Sequence, residues 1–159
     1  MGLDMYLEKM PRGQKPNYEI ADEVGYWRKA NMIHNWFVEH VQDGIDDCCY
    51  HNEVTKEILE ELLDTCTKVY KSCIMMLGQV KNGAICKDGE WVDCLEPGGI
   101  IIDPTVAKEL LPTASGFFFG GTDYDEYYVD SIANTISIIN DVLYNTDFET
   151  EAIYYISSW

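Results

Sequence analysis

The chain has 159 residues, 47% of them hydrophobic and 13% aromatic, and a formal net charge of −17. That apolar content excludes a disordered acidic tail, and the length suits a single domain, residues 1–159, with one hydrophobic core. The charge repels phosphate backbones, which argues against a general nucleic-acid binder and favours basic partners.

Leu3, Met5 and Leu7 alternate with Asp4, Tyr6 and Glu8, a period of two that predicts a strand. Pro11, Gly13 and Pro16 mark a loop. Ala30, Ile33, Phe37 and Val41 then recur at spacings of three and four, predicting a helix from about Val24 to about Gln42 that ends at Gly44. A second helix is capped by Thr55. Its apolar face runs from Ile58 and Leu59 through Cys66, Val69 and Cys73 to Leu77, with Gly78 as its C-cap. Residues 79–103 read as a variable loop or hairpin excursion, with turn signals at Asn82-Gly83 and Asp88-Gly89. Asp103-Pro104 opens a short helix that ends near Leu111.

The glycine-bounded aromatics of residues 116–120 predict a buried strand. Asp123 and Glu126 have capping-box spacing at the start of a third long helix, whose buried stripe is Ile132, Ile136, Ile139 and Leu143. A last strand covers Ala152 to Ser157. The expected fold is α+β, a small three-stranded sheet with three main helices packed on it.

The N-terminus has no basic region followed by an apolar one, and no apolar stretch reaches membrane length, so a cytoplasmic protein without a membrane partner is expected. Cys48, Cys49, Cys66, Cys73, Cys86 and Cys94 are expected as reduced thiols. Adjacent Cys48 and Cys49 do not make a metal knuckle, and the sequence predicts neither a metal site nor a cofactor.

Two segments carry candidate chemistry. The first is Gly25–Trp36. Arg28 is one of only two arginines and is followed by Lys29, a basic pair that needs an anionic neighbour: either the chain's own carboxylates or a bound phosphate held by a guanidinium fork. Arg28, Asn31 and Asn35 have the spacing of one helix face, and Trp27 and Tyr26 offer rings for stacking. His34 falls near the apolar stripe, which favours a hydrogen-bonded core histidine over a catalytic one. The second segment is Gly120–Tyr128, where a glycine pair opens a helix. It is either a tight acidic turn, or a place where Thr122, Asp123, Tyr124 and Tyr127 line a pocket beside the first helix. This second segment meets the spacing of neither a phosphate-binding nor a calcium loop.

Taken together, MGLDMYL, GYWRKAN-x-IH-x-WFV and SGFFFG-x-TDYDEYY resemble a family of small proteins encoded in phage and prophage genomes. The resemblance implies an accessory protein that counters host defence. In that reading it binds and sequesters a small anionic, nucleotide-like immune signal: Arg28 and Lys29 contact phosphate, Trp27, Tyr124 or Tyr127 stacks on a base, and Asn31 and Asp123 hydrogen-bond base or ribose. Two other readings stay open. One is an acidic interaction protein or DNA mimic that inhibits a host defence protein. The other is a hydrolase of the nucleotide signal, with His34 or Asp123 as acid or base. A homo-oligomer is also expected, with Tyr154, Tyr155 and Trp159 as its interface.

Overall fold

A computed structural model describes residues 2–116 and 118–159. Strand β1 spans Asp4–Pro11, β2 Asp22–Arg28, β3 Asn52–Val54 and β6 Glu151–Ser158. They form an antiparallel four-stranded sheet in the order β2-β1-β6-β3. Strands β4 (Met75–Lys87) and β5 (Glu90–Ile101) make a separate antiparallel hairpin. The helices are α1 (Asn31–Val41), α2 (Lys56–Ser72), α3 (Thr105–Leu110) and α4 (Glu126–Asn145). The α+β class is therefore as expected, while the sheet has four strands rather than three and a long hairpin beside it.

The register explains the layering. Met5 pairs with Trp27 and Ser157, Leu7 with Gly25 and Tyr155, and these residues face the helices, where Ile33, Phe37, Leu59, Leu62, Ile132 and Ile139 complete the core. The opposite face carries Asp4, Tyr6, Glu8 and Met10 with Arg28, Tyr26, Tyr154 and Ala152. Loops partly cover it: Tyr18 lies on His51, whose Nε2 is 2.6 Å from Glu8 Oε2. Residues 152–156 of β6 are thus buried on both faces, which is why the strand reads as an unbroken apolar run.

Several boundaries differ from the sequence reading. The predicted first helix began at Val24, but Asp22–Arg28 is a strand, and the helix starts at Asn31. Gly25 is the cause that periodicity hides: a Cβ there would come within 2.7 Å of Ile138 Cγ2, so glycine lets α4 lie directly on the strand. Helix α2 stops at Ser72 rather than Leu77, and Gly78 is not its cap but a strand residue packed under Ile100. The predicted strand at 116–120 is an irregular turn in the residues described, Phe117 lying outside them. Phe118 takes a φ of 65°, and Phe119 folds back over Gly116 and is buried. The cap of α4 is Asp125, whose Oδ1 accepts from the Tyr127 and Tyr128 amides, whereas Glu126 accepts from the Gly99 amide at 2.6 Å and ties down the hairpin base.

Among the described residues, no helix is long and apolar enough to cross a membrane. Tyr154 and Tyr155, expected at a subunit interface, are buried by their own chain, and only Trp159 of that group remains half exposed.

Candidate functional site

Because β2 is a strand, Trp27 and Arg28 point to opposite sides of the sheet. Trp27 faces inward and is 2% exposed; its indole N–H donates to Thr135 Oγ1 at 2.9 Å and its ring meets Phe37 edge-on. It has no face for a ligand to stack on. The accessible ring is its neighbour Tyr26, 39% exposed, which lies on the outer face 5.3 Å from Tyr6. Arg28 is on that same face and does not share a helix surface with Asn31 or Asn35.

Arg28 and Lys29 converge. A Cβ placed on Gly2 would lie 3.4 Å from Lys29 Cε and 3.8 Å from Arg28 Nη2, so both basic side chains lean over this glycine. Lys29 reaches that position through a left-handed φ of 58°, held by its amide donating to the Leu3 carbonyl at 2.8 Å. The nearest carboxylate, Asp4, is mostly engaged elsewhere. It accepts the Tyr26 hydroxyl at 2.6 Å, a bond that holds the Tyr26 phenol above its ordinary pKa, while Arg28 Nε stands 4.0 Å away. Among the described residues, no carboxylate pairs with the Lys29 ammonium. In a chain of net charge −17, this corner therefore concentrates two cations against one shared carboxylate.

Asn31 lies next to the corner and is fully buried. Its Nδ2 donates to the carbonyls of Phe119 (3.1 Å) and Gly121 (2.8 Å), and its Oδ1 accepts the Ala114 amide (3.0 Å). Every polar atom of that side chain is spent on the 114–121 loop, so it clamps the loop and has nothing left for a ligand. His34 is also closed off. Its Nδ1 is 2.7 Å from the Tyr155 hydroxyl, its Nε2 3.0 Å from Asp46 Oδ2, and its ring meets Phe119 edge-on. Asp46 in turn accepts from the Trp159 indole at 3.3 Å. Burial pushes the Tyr155 phenol well up, which keeps it a neutral hydrogen-bonding partner.

The second predicted segment divides. The loop carbonyls at Phe119 and Gly121 meet α1, and Gly120 lies against Lys29, where a Cβ would come within 3.1 Å of the lysine carbonyl oxygen. Thr122 contributes its carbonyl to Thr113 Oγ1. Beyond it, the chain turns toward the hairpin. Asp123 and Tyr124 line a cavity of about 300 Å³ with Gln79, Lys81, Asp93 and Ile100, and Tyr127 donates its hydroxyl to Glu96 at 3.0 Å. Tyr124 is held from two sides, its hydroxyl accepting the Thr113 amide and its ring lying under Lys108. Among the described residues that line it, the cation is Lys81, which is already paired with Asp93 and held above its usual pKa chiefly by that bond. With Asp123 and Asp125 also on the wall, an anion is disfavoured there. The predicted ligand residues thus fall into a basic corner (Arg28, Lys29) and an acidic cavity (Asp123, Tyr124), with Tyr127 on the hairpin's flank.

Sequence reasoning passed over Gly2, Asp4 and Tyr6 as parts of the basic corner. The local signal was weak: the inward positions of β2 are Gly25 and Trp27 with the aromatic Tyr26 between them, so polarity does not alternate, and the apolar stripe that follows dominates. No group of three or more His, Cys, Asp or Glu side chains among the described residues is arranged to hold a metal. Comparison with protein-family models, with curated proteins and with solved structures finds no match for this chain.

Proposed function

We propose that this protein binds and sequesters a small anionic, nucleotide-like ligand, as an accessory protein of a phage that withholds an immune signal from its host. The observation that carries this reading is the convergence of Arg28 and Lys29 over Gly2, opposed by a carboxylate that Tyr26 already occupies. A guanidinium whose terminal nitrogens stand outside an ion pair is suited to a phosphate, and Tyr26 offers a planar ring on the same face. The buried, fully partnered His34 favours binding over hydrolysis.

The test is to mix the protein with a panel of cyclic nucleotides and ADP-ribose derivatives and to quantify free ligand before and after heat denaturation. Depletion with intact recovery, lost in Arg28→Ala, is the expected result. Depletion with new products would make the protein a hydrolase. No depletion across the panel would overturn the reading.

A second reading has its own observation. The β4-β5 hairpin exposes Trp91, Leu95, Ile85 and Val92 on a chain that is otherwise strongly acidic. An arm of this kind suits an interaction protein that inhibits a basic host protein, its apolar residues making the contact and its charge speeding the encounter.

A further inference from the structure

We propose that Cys48 and Cys49 form a reversible two-electron redox pair that closes to a vicinal disulfide. The two sulfurs are already in contact at 3.4 Å. The Tyr50 amide donates to the Asp47 carbonyl at 3.3 Å, which makes the two cysteines the central residues of a tight turn. Cys49 has a φ of 68°, as the second central residue of a type II turn requires. Glycine or asparagine would sit there without strain, so a cysteine at this position bears a backbone cost that packing does not explain: its side chain is exposed.

The turn is anchored rather than free. The Cys49 amide donates to the Ser157 carbonyl of β6 at 2.7 Å. Asp46, two residues before the pair, is fixed by His34 and Trp159. Both sulfurs are therefore held close together before any oxidant arrives; closing the bond shortens their separation by about 1.4 Å, to about 2.05 Å, with the torsions of the 48–49 turn adjusting to the eight-membered ring. Among the described residues, none of the other four cysteines has a sulfur partner, and Cys66 is buried in the core.

The oxidant the chemistry calls for is a small-molecule disulfide. One thiol of the pair loses its proton and attacks a sulfur of that disulfide, forming a mixed disulfide and releasing one small thiolate. The second thiol then loses its proton and attacks the cysteine sulfur of the mixed disulfide, forming the Cys48–Cys49 bond and expelling the other small thiolate. Two electrons pass from the pair to the small disulfide, which leaves as two thiols.

The experiment exposes the folded protein to glutathione disulfide, quenches with an alkylating reagent under denaturing conditions and digests with trypsin. Lys29 and Lys56 bound one peptide, residues 30–56, that contains both cysteines and no other. The expected product takes up no alkyl group, is two hydrogens lighter than the reduced peptide, and accepts two alkyl groups after dithiothreitol. Closure in strong urea is expected to be slower by roughly tenfold or more, since the anchored turn is lost. Cys49→Ser is expected to trap glutathione on Cys48 as a lasting adduct. Two alkyl groups on the oxidant-treated parent, a lasting adduct on the parent, or equal rates in urea and buffer would each overturn the proposal.

Discussion

At the scale of single residues, position on strand or helix decides what a polar side chain can do. Arg28 and Asn31 are three apart in sequence, and a helix would have put them on one face. A strand end and a helix start put Arg28 outside and Asn31 fully inside. Their substitutions should therefore separate cleanly. Arg28→Ala removes an exposed side chain whose one carboxylate neighbour is 4.0 Å away, so stability should stay within about 0.5 kcal/mol while affinity for the anionic ligand falls at least about tenfold. Titration of the two proteins with the ligand found in the panel, beside urea denaturation, checks both halves. Asn31→Ala does the opposite. It strands the buried Phe119 carbonyl and frees the part-buried Gly121 carbonyl and Ala114 amide, a loss of about 2–3 kcal/mol that urea denaturation would read. A loss below about 1 kcal/mol would show that the 114–121 loop is held by other contacts.

At the scale of elements, the helices and strands β1 and β6 were legible, whereas β2, β3 and the long hairpin were not. Helix α2 announces itself through Thr55, whose Oγ1 accepts the Ile58 amide, and through its buried residues Leu59, Leu62, Cys66 and Val69. The same stripe ran on in sequence to Leu77, yet Leu77 is 80% exposed in β4. An apolar residue at helical spacing carries no mark of whether the chain has already turned. Strand β3 has three residues and is defined by its pairing with Tyr155, Tyr154 and Ile153, a long-range contact that local pattern does not encode. The basic corner suffered from the same blindness, because it depends on Gly2 and Asp4 arriving beside β2. Of the two predicted turns, Asp88-Gly89 closes the hairpin, whereas Asn82-Gly83 is a bulge inside β4 where the register shifts; Gly83 and Gly89 both have positive φ, and the length of the arm was not readable. An isolated two-stranded ribbon draws little stability from itself. This arm is fixed at its base by the Gly99–Glu126 bond and by the Ile101 amide on the Tyr124 carbonyl. Replacing residues 82–94 with a two-residue turn, which keeps Lys81 opposite Leu95, should leave the denaturation midpoint nearly unchanged, with a loss of about 1 kcal/mol or less. If the arm is the contact surface of an interaction protein, the same truncation abolishes retention of the host partner at low salt. A large loss of stability would instead show that the exposed apolar residues of the arm support the core.

At the scale of the whole molecule, two opposing electrostatic facts meet. The surface carries −17, and the core buries weak acids that must stay protonated. Burial pushes the Cys66 thiol from 9.0 up to about 12, and raises the phenols of Tyr128 and Tyr155 as well. A group whose pKa is higher in the folded chain contributes its stability fully below its unfolded value. Above that value, the unfolded chain releases the proton first, and stability falls with pH until the folded group also ionises. For Cys66 the window opens near 9.0 and closes near 12, with the phenols adding to the slope above their ordinary value of 10.0. Surface repulsion acts in the same direction, since the chain has few lysines to lose and each loss makes it more negative. The two causes separate through Cys66→Ala, which removes the thiol but leaves the surface unchanged. Between pH 8 and pH 10, the parent should lose about 1–1.5 kcal/mol more than the variant, measured as unfolding free energy in urea. Equal losses would assign the alkaline sensitivity to the surface alone and would mean that Cys66 is reached by solvent in the folded state.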